Sequence, residues 1–201
     1  MNIKRSDFLK LGSMTAVGSM AIPAILSSCH GASSSSGNAC NSCTPSGIDH
    51  EQRIKDLGLI LPKAPLPGLF KPVLVSGNLL YVSGQGPNID DAGTQIIGKV
   101  GGDLTLEEGK AAARHTALTM ISVIKAYFGD LNKICRLVKT LGMVNCTPDF
   151  YSSPAVINGF SELMIEIFGE DHGKGVRSAV GMVSLPSNIA VEIEAVFELK
   201  S

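Results

Sequence analysis

Between Ile189 and Leu199 the chain alternates without a slip. Ile189, Val191, Ile193, Ala195, Phe197 and Leu199 fall on one parity, and Ala190, Glu192, Glu194, Val196 and Glu198 on the other. Successive side chains of an extended segment point to opposite faces, so this is a strand with one buried face. Any fold of this chain must supply an apolar layer for that face. The run before it, Val176 to Ser184, is small and β-branched, and Leu185-Pro186-Ser187-Asn188 supplies turn residues between the two. An antiparallel hairpin is therefore expected. Its first strand carries Arg177 among the small residues Ala179 and Gly181, which leave the guanidinium unscreened. A planar fork of donors in such a place suits a carboxylate, although the position alone also fits a surface or subunit-interface arginine.

The rest of the chain supplies the layer. Ile48 to Leu57 predicts a short helix, and the proline-rich stretch Leu61 to Gly68 an extended connector. Val73-Leu74-Val75, the turn Ser76-Gly77-Asn78 and Leu79 to Ser83 predict a β-hairpin. A loop rich in Gly and Asp follows, with Ile96-Ile97 in a third strand. Thr105-Leu106-Glu107-Glu108 is a capping-box signature that opens a helix running to about Phe128. On it Ala113, Ala117, Met120, Ile121, Ile124 and Phe128 share one face. Leu131 to Leu141 leads from a turn into a strand at Leu141 to Asn145, and Ser153 to Phe168 predicts a second amphipathic helix. This order implies an α+β sandwich, a mixed sheet with two helices packed on one face. The other sheet face then needs a cover, which argues against a monomer.

The first segment is read as an export signal rather than as fold. Lys4, Arg5 and Lys10 form a positive start, Leu11 to Leu26 is uncharged and largely apolar, and Leu26-Ser27-Ser28-Cys29 matches a bacterial lipobox. Residues 1–28 are thus expected to be removed and Cys29 to carry a lipid, anchoring the chain to a bacterial membrane from the cell-envelope or periplasmic side; the alternative, a single uncleaved membrane anchor of the same topology, has a short, Gly/Ser-diluted span. Residues 29–47 are mostly Ser, Gly, Asn, Ala and Cys without periodicity and read as a tether. The folded domain is expected over 48–201. Cys40 and Cys43 can pair in an oxidising compartment or stay as unreactive tether cysteines, and Cys135 and Cys146 lie in apolar runs that read as core.

Two motifs carry a resemblance to a known family. Arg177-Ser178, then Ser184-Leu185-Pro186, then Val191-Glu192-Ile193-Glu194-Ala195 resembles the C-terminal signature of the RidA/YjgF imine deaminases. Asn78 to Gln85, with its Ser83-Gly84-Gln85, resembles the family's N-terminal segment. The likeness spans about Leu69 to Leu199 and is greatest to the chorismate-mutase-like branch. It implies a homotrimer with sites between subunits, hydrolysis of 2-imino or enamino acids to 2-keto acids and ammonia, and no cofactor. By the same resemblance Arg177 holds the substrate carboxylate, Glu192 orients or activates the attacking water, and Ser83, Gly84 and Asn158 line the site. The pattern departs from the family twice: Phe70 stands where the family has a tyrosine, and Ala179 where the best-studied members have cysteine. Losing the tyrosine hydroxyl admits an alternative, a non-catalytic trimer that binds small carboxylates. Without the resemblance, Glu192, Glu194 and Glu198 are a solvated strand face.

Other chemistries find little support. With aromatics at 5%, no Trp and no basic run after Lys10, the chain has no nucleic-acid footprint, which counts against an endoribonuclease. No Ser/His/Asp arrangement is visible, and Tyr81 stands where a nucleophile elbow at Ser83 needs Gly. His172 with Glu170 and Asp171 reads as a charged loop before a cation site, so no metal is expected.

Overall fold

The strand that alternates so regularly is the middle of the sheet. In the structure, a computed structural model that describes residues 48–87 and 95–200, β1 (Val73–Ser76), β2 (Leu79–Gln85), β3 (Ile134–Asn145), β4 (Val176–Met182) and β5 (Val191–Leu199) form one sheet in the order β1-β2-β5-β3-β4. The expected signal segment, Cys29, the tether and Cys40 and Cys43 lie outside the described residues. Among the described residues no helix is long and apolar enough to cross a membrane.

On the first parity of β5, Val191, Ile193, Ala195 and Phe197 are buried. They meet α2 (Leu106–Tyr127) and α3 (Ser153–Phe168), which pack side by side on one sheet face. Full burial of a side chain such as Phe197 contributes about 2–3 kcal/mol. The Thr105 hydroxyl accepts from Glu108 N while the Glu108 carboxylate accepts from Thr105 N, so α2 begins on a complete capping box. α2 and α3 approach closely at Gly159, where a Cβ would come within 2.1 Å of the Lys110 carbonyl oxygen. Two short helices, α1 (His50–Asp56) and α4 (Glu170–Gly173), flank this layer. The opposite sheet face is left to Tyr81, Val180 and Val176, which are 42%, 40% and 69% exposed.

Three expectations are corrected. β4 and β5 are not a hairpin: β3 lies between them, antiparallel to β5 and parallel to β4. The Pro186–Asn188 turn is real, but Ser187 and Asn188 adopt φ of 52° and 57°, a left-handed geometry that redirects the chain instead of folding it back. Asn145, at the end of β3, pins the crossover by donating from Nδ2 to Asn188 Oδ1 (3.0 Å) and to the Ile189 carbonyl (3.2 Å). Second, β3 is extended from Ile134 onward, well before Leu141, because β5 pairs with it back to Ile134, whereas β4 joins only at Lys139. Third, Ile96-Ile97 forms no strand, only an isolated bridge from Ile97 to Ile189. Of the two core cysteines, Cys146 is a free buried thiol, whereas Cys135 carries a disulfide.

Candidate functional site

Arg177 is the second residue of the edge strand β4. Its register partner on β3 is Thr140, which is buried beneath the helices, so Arg177 points to the helix side of the sheet. There α3 receives it. Nη1 donates to Asn158 Oδ1 (3.0 Å) and to Ser161 Oγ (2.9 Å), and Nη2 to the Pro154 carbonyl oxygen (3.3 Å). Pro154, Asn158 and Ser161 follow one another at four and three residues, the spacing of one helical stripe. Among the described residues these are the only groups the guanidinium bonds. Of its five donors, Nε–H and one on Nη2 are left over. Ala179, two residues further along β4, is half-buried on the same side beside Gly142.

Glu192 sits elsewhere. Its β3 partner is Met143, and its neighbours Val191 and Ile193 are both buried against the helices, so Glu192 projects from the open face. A cleft between Arg177 and Glu192 within one chain is therefore not formed: the sheet itself separates them. Beside Glu192 lies a bulge in β2 that faces Glu194. Val82 pairs with Ala195 and Gln85 with Ile193, so Ser83 and Gly84 together face the single residue between. The Glu192 carboxylate lies over Gly84, where a Cβ would fall 2.1 Å from Oε1. A side chain at that position would push the carboxylate aside. Burial holds the Glu192 carboxyl above its ordinary range, and the charge of Glu194, two residues along on the same face, adds to the shift.

The bulge also positions Phe70. Ser83 Oγ donates to the Lys71 carbonyl oxygen (2.7 Å) and Ser83 N to that of Pro72 (3.0 Å), tying the connector to β2. Phe70, 61% exposed, then shares with Gly84, Pro186 and Ile189 the lining of a cleft of about 540 Å³. The structure thus brings Ser83, Gly84, Phe70 and Glu192 into one neighbourhood and Arg177, Asn158 and Ala179 into another. Sequence reasoning missed Ser161, although its spacing from Asn158 was a visible signal. Glu170 pairs with Lys174, and among the described residues no three His, Cys, Asp or Glu side chains are grouped to hold a metal.

Residues 51–195 match the model of the family described as "YjgF/chorismate_mutase-like, putative endoribonuclease". The chain belongs to the RidA/YjgF family. A curated relative, Protein TCP17 of Trypanosoma cruzi, is 41% identical over 149 residues, covering 74% of this chain and 92% of that protein. The crystal structure of Atu1372 from Agrobacterium tumefaciens, a protein of unknown function, is also 41% identical, covers 75% of this chain and 92% of its own, and superposes with a TM-score of 0.68. A Shewanella oneidensis endoribonuclease candidate is 30% identical over 75% of this chain and 99% of its own, with a TM-score of 0.70.

Proposed function

We propose that the protein hydrolyses 2-imino or enamino acids to 2-keto acids and ammonia, at sites built between the subunits of a homotrimer. The observation that carries this reading is Arg177: an exposed guanidinium held from behind by α3, with Nε–H and one Nη2–H left to take a carboxylate. Glu192 of the adjoining subunit completes the site. A water held by its carboxylate attacks the electrophilic C=N carbon and passes a proton to Glu192. From a protonated imine, the carbinolamine so formed takes that proton onto nitrogen, its C–N bond breaks, and ammonia leaves as the carbonyl forms and the hydroxyl proton passes to the Glu192 carboxylate. A carboxyl raised above its usual range gives up and regains a proton more readily near neutral pH. Positioning and proton transfer suffice, so the reaction needs no cofactor. The leader and lipobox support an envelope location, with the domain tethered through Cys29.

A second reading is favoured by Phe70, which has no hydroxyl to hold water: the same cleft binds a small carboxylate without turning it over. The two are separated by measuring ammonia and keto-acid release from freshly generated 2-iminopropionate with the purified full-length protein, beside Arg177→Ala and Glu192→Ala. The enzyme reading expects acceleration by wild type and its loss in both variants. No acceleration by wild type, together with a ligand-induced thermal shift that Arg177→Ala abolishes, would establish the binding module instead.

A further inference from the structure

Arg177 stands on an edge strand at the end of a flexible stem, and an unsupported arginine there would sample many rotamers. The bond from Nη1 to Asn158 and the longer one from Nη2 to the Pro154 carbonyl (3.3 Å) hold the guanidinium but leave it some freedom to turn. Ser161 Oγ, as a second acceptor on the same Nη1 at 2.9 Å, removes that freedom and sets the plane of the group. We propose that Ser161 is a positioning residue for Arg177, one that turns the Nε–H and remaining Nη2–H outward so that the site selects a planar carboxylate taken side-on.

The chemistry of the three supports fits this role. An amide oxygen, a hydroxyl and a backbone carbonyl hold the guanidinium without neutralising it, so its charge stays available to an anion. The nearest alternative is a carboxylate, and it is engaged elsewhere. Glu162 lines the same depression of about 300 Å³ as Asn158, Ser161 and Arg177, yet it pairs with Lys110 across α2 and α3 at 2.8 Å. Among the described residues Arg177 has no carboxylate partner. A helix stripe of Pro154, Asn158 and Ser161 therefore orients the arginine while leaving its charge uncancelled. Substrate selection in this sense rests on the functional reading above, whereas the orientation of Arg177 can be observed without any substrate.

The test uses full-length wild type, Ser161→Ala, Ser161→Thr and Arg177→Lys. The ¹⁵N–¹H signal of the Arg177 Nε–H, assigned by its loss in Arg177→Lys, reports how freely the guanidinium rotates. Binding of pyruvate, a stable 2-keto acid, and turnover of 2-iminopropionate report the consequence. Ser161→Ala is expected to speed guanidinium rotation and to raise the KM and the pyruvate Kd by about tenfold, with kcat within about twofold. Ser161→Thr, which keeps the hydroxyl, is expected to restore both. An unchanged Arg177 signal in Ser161→Ala overturns the proposal. So does a loosened guanidinium with unaltered KM and pyruvate affinity. If wild type neither binds pyruvate nor accelerates the reaction, the functional reading fails and selection by Ser161 with it, a result distinct from wild type binding and Ser161→Ala binding equally well.

Discussion

Arg177 and Glu192 project from opposite faces of the same sheet, Arg177 toward α3 in register with buried Thr140, and Glu192 to the open side in register with Met143. One chain cannot close a small-molecule site around both. A second copy laid against the open face and the β4 edge can bring the two half-sites together, which is why the functional reading requires an oligomer. The two residues are thus set by different parts of the fold, Arg177 by a helix and Glu192 by the central strand beside Gly84.

The part proposed for the Phe70 position is testable directly. Phe70 is exposed, so Phe70→Tyr adds a hydroxyl without disturbing the core. If that hydroxyl helps hold the attacking water, turnover of 2-iminopropionate should rise, by up to about tenfold, with little change in melting temperature. No gain, or a loss, would indicate that the cleft around Phe70 is organised differently from the family pattern.

Glu192 should make the protein pay in stability for its function. Its folded pKa is raised from the ordinary 4.5, first by burial and then by Glu194, so the folded state holds this proton more tightly than the unfolded chain. Its contribution is fully present below the unfolded pKa and is lost as pH rises through the folded one. Glu192→Gln should therefore be more stable than wild type at pH 7, with the difference disappearing toward pH 4. Thermal melts of both proteins across that range check it, and the reverse order at pH 7 would contradict it. In kinetics, Glu194→Gln should move the acid limb of kcat/KM to lower pH by removing the like charge.

His50 predicts the opposite dependence. It is fully buried, its ring meets Phe168 edge-on at 4.8 Å, and among the described residues neither ring nitrogen has a partner in good hydrogen-bond geometry. Burial lowers its pKa, Lys200 and His172 add to the effect, and the nearby backbone of Ile134 and Ile167 only partly offsets it. The unfolded chain then binds this proton more readily, so stability should fall as pH drops below about 6.5. His50→Leu should flatten that slope in melts between pH 7.5 and 5, and an unchanged slope would show that other groups set it.

At the crossing of α2 and α3, Gly159→Ala places a methyl against the Lys110 carbonyl. The helices must separate to admit it, at a cost of about 1–3 kcal/mol. Denaturant titration should show the midpoint lowered without a change in slope; an unaffected midpoint would mean that the crossing yields easily.

Much of this was readable in the chain because local chemistry sets it. The capping box at Thr105, the β1-β2 turn and the parity of β5 each depend on residues near one another in sequence. Asn158 and Arg177 were both legible from motif and resemblance, and they do meet. The partner of β4 was not legible. A strand's alternation shows which side chains share a face but not which strand lies beside it, and Leu185 to Asn188 carries ordinary turn residues whether the chain folds back or crosses over. The decision lies in long-range bonds, above all those from Asn145 to Asn188 and Ile189. The opposite facing of Arg177 and Glu192 follows from that pairing, so it too was hidden. The bulge at Ser83-Gly84 escaped notice because it exists only relative to β5.

The most direct test of the central claim is complementation between two inactive variants. Arg177→Ala supplies an intact Glu192 half-site and Glu192→Ala an intact Arg177 half-site, so co-expressed and co-purified as mixed oligomers they should rebuild some complete sites. Random assembly from equal amounts makes about one site in four complete. The account predicts that imine hydrolysis returns to about a quarter of the wild-type rate although each variant alone is inactive. Mixed oligomers shown to contain both chains, yet as inactive as either parent, would contradict a site shared between subunits.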